Sequence, residues 1–85
     1  MKPLLFTHHA PDRMRERSIA AEWLERTVRQ PEWTEPNRGD PTGERRFRSI
    51  PEFGDRVLRV ACVETETHIR VISVHFDRRA RPRRA

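Results

Sequence analysis

Apolar residues recur along this chain first at helical and then at strand spacing. Between Thr7 and Arg17 the residues Ala10, Met14 and Arg17 fall three or four apart, which predicts a short helix with one small apolar stripe and Pro11 in its first turn. From Ile19 to Gln30 the pattern is stronger. Ala20, Leu24 and Val28 recur every four residues with Ile19, Trp23 and Thr27 beside them, while Glu22, Glu25, Arg26 and Arg29 lie outward, the signature of an amphipathic helix. Ser18 is placed to start it. Pro31 ends it, because the residue before a proline is pushed out of the helical region.

Turn formers then accumulate at Pro36, Asn37, Gly39, Asp40 and Pro41, and three β-like runs follow: Glu44 to Ile50, Arg56 to Glu64 and His68 to Phe76. These predict an antiparallel meander. Leu4 to Phe6 offers a first strand, and Trp33 an opening for a short edge strand. The expected fold class is α+β, with two N-terminal helices packed on one face of a three- to four-stranded, mainly antiparallel sheet.

Side chains alternate between the faces of a strand, so each run divides into two sets. Matching the apolar sets gives a core face of Phe47, Leu58, Val60, Cys62, Ile72, Val74 and Phe76 against Leu24 and Val28. Arg46, Arg48, Arg59, Ser73 and His75 are left together on the open face. A three-residue loop at Thr65 to Thr67 would set Arg59 opposite Ser73 and close to His75. Arg70 falls in the core-side set near the strand's start, where its head could reach the rim.

Eighty-five residues make one domain, read here as residues 1–77 with a basic, flexible tail at 78–85. Charged residues make up 36% of the chain and apolar ones 34%, so the core is thin and a partner chain or self-dimer would supplement it. The net charge of +5 resides in the tail, which from Arg78 onward carries five arginines and no acid. The body is neutral, so a high isoelectric point does not by itself mark the folded surface as a nucleic-acid platform. A lone cysteine, Cys62, allows no internal disulfide, and no apolar run approaches membrane-spanning length, so a cytoplasmic location is expected.

Convergent guanidinium groups favour an anion, and a phosphodiester matches their planar donors; pairing with Glu44 and Glu64 is the structural alternative. His75 beside arginines is a candidate general acid or base, with His8 and His9 as secondary candidates. No metal site is expected, since His68 and His75 fall on opposite strand faces and there is no cysteine pair. No glycine-rich phosphate loop and no GxSxG elbow occurs, and no cofactor is implied.

The segment Phe6-Thr7-His8-His9-Ala10, followed by Arg13, by Glu16-Arg17-Ser18-Ile19 and by a helix ending at Pro31, resembles the opening of a bacterial domain-of-unknown-function family. That family is grouped with the RelE and BrnT-like toxins. The closing Ile69-Arg70-Val71-Ile72-Ser73-Val74-His75-Phe76-Asp77-Arg78-Arg79 is similar to the Ile-Arg-Ile-Ile-Ser-Ala-Arg stretch of BrnT toxins. The resemblance implies a compact sheet with two helices on one face and metal-independent cleavage of messenger RNA. In that chemistry a ribose 2′-hydroxyl attacks the adjacent phosphate while arginines stabilise the developing charge. Ser73 matches the family serine, but His75 stands where BrnT has arginine. The chain has no tyrosine and its only lysine is Lys2, so the tyrosine and lysine roles of many RelE-like nucleases have no holder here.

The leading expectation is a toxin-like, RNA-binding endoribonuclease: His75, Arg59 and Arg46 act in catalysis, and Arg46, Arg48, Arg59, Ser73, Arg78 and Arg79 hold the nucleic acid. The rival is a non-catalytic interaction module that binds an antitoxin or another protein, or dimerises with itself.

Overall fold

The computed structural model describes residues 1–7, 10–39 and 41–80. Its elements are β1 (Leu4–Phe6), α1 (Ala10–Glu16), α2 (Ala21–Arg29), β2 (Trp33–Pro36), β3 (Glu44–Ile50), β4 (Arg56–Glu64) and β5 (Ile69–Phe76), with a short 3-10 turn at Pro51–Phe53. The fold is α+β with two helices, as the periodicity predicts. The sheet is larger than expected, with five strands in the order β1-β5-β4-β3-β2. β1 lies parallel to β5 and precedes both helices, and β2 lies antiparallel to β3. Both extra strands are short edge strands, whose pairing comes from the neighbouring strand rather than from a pattern of their own. Among the described residues, no helix is long and apolar enough to cross a membrane.

Ser18 has a part different from the one its position suggests. At φ 56 it occupies the left-handed region after α1. Its N–H donates to the Arg15 carbonyl and the Ile19 N–H to the Met14 carbonyl, at 3.2 and 2.9 Å. This paired closure ends a helix, and Met14 and Ile19, which it brings together, are both buried in the core. Ser18 therefore stops α1 instead of starting α2, whose N-cap is Ala20.

Leu24 and Val28 of α2 join Met14 and Ile19 over Ile50, Leu58, Val60, Cys62, Ile69, Val71 and Val74 of the sheet. Ile69 and Val71 take the place that strict alternation gives to Ile72. The cause is a β-bulge. Ala61 faces Ser73, yet the next residue, Cys62, faces Val71, so Ile72 has no partner on β4. The bulge turns Ile69 and Val71 inward and leaves Ile72 half-buried.

The pairing of β3 with β4 brings a second correction. Arg46 faces Val60 and Arg48 faces Leu58, so both arginines lie on the helix-covered side, and Phe47 faces Arg59 on the open side. The arginines are drawn there by the carbonyls that α2 leaves unpaired at its end. Arg46 Nη1 donates to the Val28 carbonyl at 2.8 Å and Arg48 Nη1 to the Gln30 carbonyl at 2.6 Å. Phe47 is buried on the opposite face instead, stacked against Trp33 with ring centroids 4.8 Å apart.

Candidate functional site

Two rows of side chains cross the open face. Trp33, Phe47, Arg59 and His75 are in register on β2, β3, β4 and β5, and beside them run Glu35, Arg45, Ala61 and Ser73. Past the end of β1, the outer edge of β5 is taken by α1 and its flanks. Thr7 Oγ1 donates to the Ile72 carbonyl at 3.1 Å, and Arg17 Nη1 to the Val74 carbonyl at 3.2 Å. Between α1 and β5 lies a cleft of about 400 Å³, lined by Thr7, Arg13, Arg17, Ile72, Ser73 and His75 among others.

Arg59 links His75 of this cleft to Asp77. Its Nη2 contacts Nε2 of His75, and its Nη1 donates to Asp77 Oδ2 at 3.0 Å. Because a guanidinium can only donate, Nε2 accepts, and the imidazole is neutral. Its surroundings favour that state. Burial lowers the His75 pKa, the positive charges of Arg59, Arg17 and Arg45 lower it further, and Asp77 opposes them. At Asp77 burial works against the charge, but the Arg79 N–H, the Arg59 guanidinium and the Ala80 N–H outweigh it and hold the carboxyl below its ordinary range. The result is a neutral proton acceptor beside a guanidinium, in a cleft whose walls carry two further arginines.

Residues 6–76 match the family described as Domain of unknown function (DUF4258). The chain belongs to this family. No curated protein and no solved structure matches it. The matched span takes in Arg59, Ser73 and His75 of the DUF4258 domain, whereas Asp77 lies just beyond it.

Of the expected site residues, the DUF4258 sheet brings Arg59, Ser73 and His75 together on the open face. Arg59 faces His75 directly, and Ser73 lies opposite Ala61 rather than Arg59. Arg46 and Arg48 are separated from them by the thickness of the sheet. Arg46 is 8% exposed and its guanidinium is engaged by Glu44, by Glu64 at 2.7 Å and by the Val28 carbonyl, on the side of the sheet away from Arg59 and His75. Arg48 is likewise committed to Gln30. Arg70 is exposed and pairs with Val63 and Leu5, so the bulge has moved it from the core side to the open face. It is five residues from His75 along β5, roughly 16 Å at strand rise. Arg78 and Arg79 follow β5 at the surface, with the Arg79 N–H bound to Asp77. His8, His9 and tail residues 81–85 lie outside the described residues.

Three arginines of the site went unselected from sequence. Arg13 and Arg17 stand one helical turn apart in or just after α1, and Arg17 belongs to the stripe that the periodicity turns towards the sheet. Arg45 sits beside Arg46, so once Arg46 points to the helices Arg45 must point to the open face.

Proposed function

We propose that this DUF4258 protein is a toxin-like RNA-binding protein that cleaves messenger RNA without a metal ion, using the cleft between α1 and β5. The observation that carries the reading is the neutral His75 held by Arg59, with Arg17 and Arg45 close enough to lower its pKa. A phosphodiester entering the cleft meets guanidinium donors that match its oxygens. As Arg59 turns its Nη2 from His75 to the phosphate, the freed lone pair on Nε2 of His75 accepts the proton of a ribose 2′-hydroxyl while that oxygen bonds to phosphorus. The bond to the 5′-oxygen breaks, that oxygen takes a proton from water, the hydroxide so formed takes back the proton held by His75, and a 2′,3′-cyclic phosphate remains. Arg59 and Arg17 stabilise the charge that develops on the phosphoryl oxygens. The resemblance of the β5 segment to BrnT toxins supports the same chemistry, with histidine in place of arginine.

The deciding experiment incubates RNA with the purified protein in excess chelator. Wild type should yield fragments ending in 2′,3′-cyclic phosphate, and His75→Gln should not; equal cleavage by both rules the mechanism out. Induced expression should arrest growth for wild type and not for His75→Gln.

A second reading, a module that binds an antitoxin or another protein, is favoured by Leu5 and Phe6, which are 49% and 43% exposed on the edge strand β1. Salt separates the two: RNA affinity should fall steeply with ionic strength, whereas an apolar protein contact should not.

A further inference from the structure

We infer that the nucleic acid taken by this face is single-stranded, with an unpaired base stacked on Trp33 while a nearby phosphate of the same strand lies over Arg59 and His75. The inference rests on the RNA reading above and adds to it the class of substrate and the residue that selects it.

The row Trp33–Phe47–Arg59–His75 sets the geometry. Neighbouring strands lie about 4.8 Å apart, which places Trp33 roughly 10 Å from Arg59 and roughly 14 Å from His75 across the sheet. That is a span a dinucleotide can bridge. Trp33 stacks on Phe47 with only 3° between the ring planes, and its Nε1 donates to Glu35 Oε2 at 3.2 Å. The indole is therefore fixed before a ligand arrives, and little entropy is lost in using it. It lies on β2, the last strand on that side of the sheet among the described residues, and α2 packs on the opposite face. Trp23 differs: it packs against Phe53 and Phe76 at 5.4 and 6.2 Å on the helix-covered side.

The charges along the row favour one orientation. Glu35 beside Trp33 repels a phosphate, whereas Arg59 attracts one, so the base goes to the ring and the backbone to the guanidinium. Stacking on an aromatic face needs an unpaired base. A duplex keeps its bases stacked on one another and can offer this face only its phosphates. Purines, with the larger ring system, should be preferred over pyrimidines.

The test reads Trp33 itself. In a Trp23→Phe background Trp33 is the only indole, because the chain has two tryptophans. This protein is titrated with 2′-O-methyl oligoadenylate, with oligouridylate of the same length and with a duplex of equal phosphate number, following Trp33 emission and, separately, anisotropy of a labelled strand. Single strands should quench the emission and bind more tightly than the duplex, with adenylate ahead of uridylate. Trp33→Leu should weaken single-strand binding about tenfold and leave duplex binding unchanged, whereas Trp33→Phe, which keeps a ring on Phe47, should lose much less. Arg59→Gln should weaken both. If the duplex binds as tightly as the single strands, or if anisotropy reports saturation without quenching, the stacking proposal is overturned while RNA binding stands. If no RNA of either kind binds at low salt, the RNA reading fails and takes this one with it. A Trp33→Leu chain that does not fold leaves the quenching and the Trp33→Phe comparison to decide.

Discussion

Arg59 on β4 donates to Nε2 of His75 on β5, directly across the ladder, and the contact is compatible only with a neutral imidazole. Burial and then the Arg59 charge depress the His75 pKa below the ordinary 6.5. A titration of His75 followed by NMR should therefore give a midpoint under that value. Arg59→Gln should raise it only part of the way, because burial, the largest cause, remains. Cleavage that uses His75 as a base should rise as pH climbs through the same midpoint and then level off. A midpoint at or above 6.5 in the folded protein would contradict the charge arrangement.

The same shift bears on stability. The unfolded chain binds a proton at His75 near pH 6.5 and the folded chain only below that, so acidification favours unfolding. Stability should fall as pH drops from neutral through 6.5 to the folded midpoint, and level off with respect to this group below it. Melting temperatures of wild type and His75→Gln, compared between about pH 7 and pH 5, should converge as the pH is lowered.

Arg46 and Arg59 should separate structure from binding. Arg46 is buried and joins the end of α2 to Glu44 and Glu64, so Arg46→Ala should cost about 2–4 kcal/mol while leaving the RNA affinity of the folded protein intact. Arg59 is partly exposed, and Arg59→Gln should cost little stability yet lower RNA affinity and reduce the salt slope by about one. Denaturant melts beside binding titrations at two salt concentrations check both halves. A reversed pattern would move the site to the helix side of the sheet.

The three long strands were legible almost to the residue, because their composition and flanking turns agree. Their mutual register was not. Arg59, Ser73 and His75 share a face as the alternation predicts, but two one-residue shifts add up to two and move the partner of Arg59 from Ser73 to His75. The β4–β5 loop takes in His68 as well as Thr65 to Thr67, and the bulge at Ile72 adds one more residue. The bulge also puts the alternation before Ile72 out of step with that after it, so Ile69 and Val71 face the core and Arg70 the open side, the reverse of what strict alternation predicts. Arg46 and Arg48 were misplaced for another reason. Charge argued for solvent, and the helix carbonyls that hold them become visible only when α2 is docked on the sheet.

Glu64 accepts from Lys2 and from Arg46, in that order of effect, and its carboxyl is pushed down to about 2. A depressed carboxylate stabilises the fold above its unfolded value and loses that contribution as pH falls from about 4.5 towards 2. Glu64→Gln should therefore melt lower than wild type at neutral pH, with the difference shrinking as the pH approaches 2. Glu64 is well exposed and screened, so the effect should be modest and should diminish in salt. A gap that stays constant down to acid would mean the ion pairs are not its source.

Deleting Ile72 tests whether the bulge is a local insertion in an otherwise regular ladder. Without it Val71 joins Ser73 directly, Cys62 still faces Val71 and Ala61 still faces Ser73. Alternation then runs unbroken, so Ile69, Val71 and Val74 keep the core and Ser73 and His75 keep the open face. The contact that goes is the one from Thr7 Oγ1 to the Ile72 carbonyl at the wall of the cleft. The deletion variant should therefore keep a cooperative thermal transition and a depressed His75 midpoint by NMR, because Arg59 still faces His75. Loss of the cooperative transition would show that the core needs the bend that the bulge puts into β5, and a His75 midpoint back at its ordinary value would show that the bulge sets the Arg59–His75 contact.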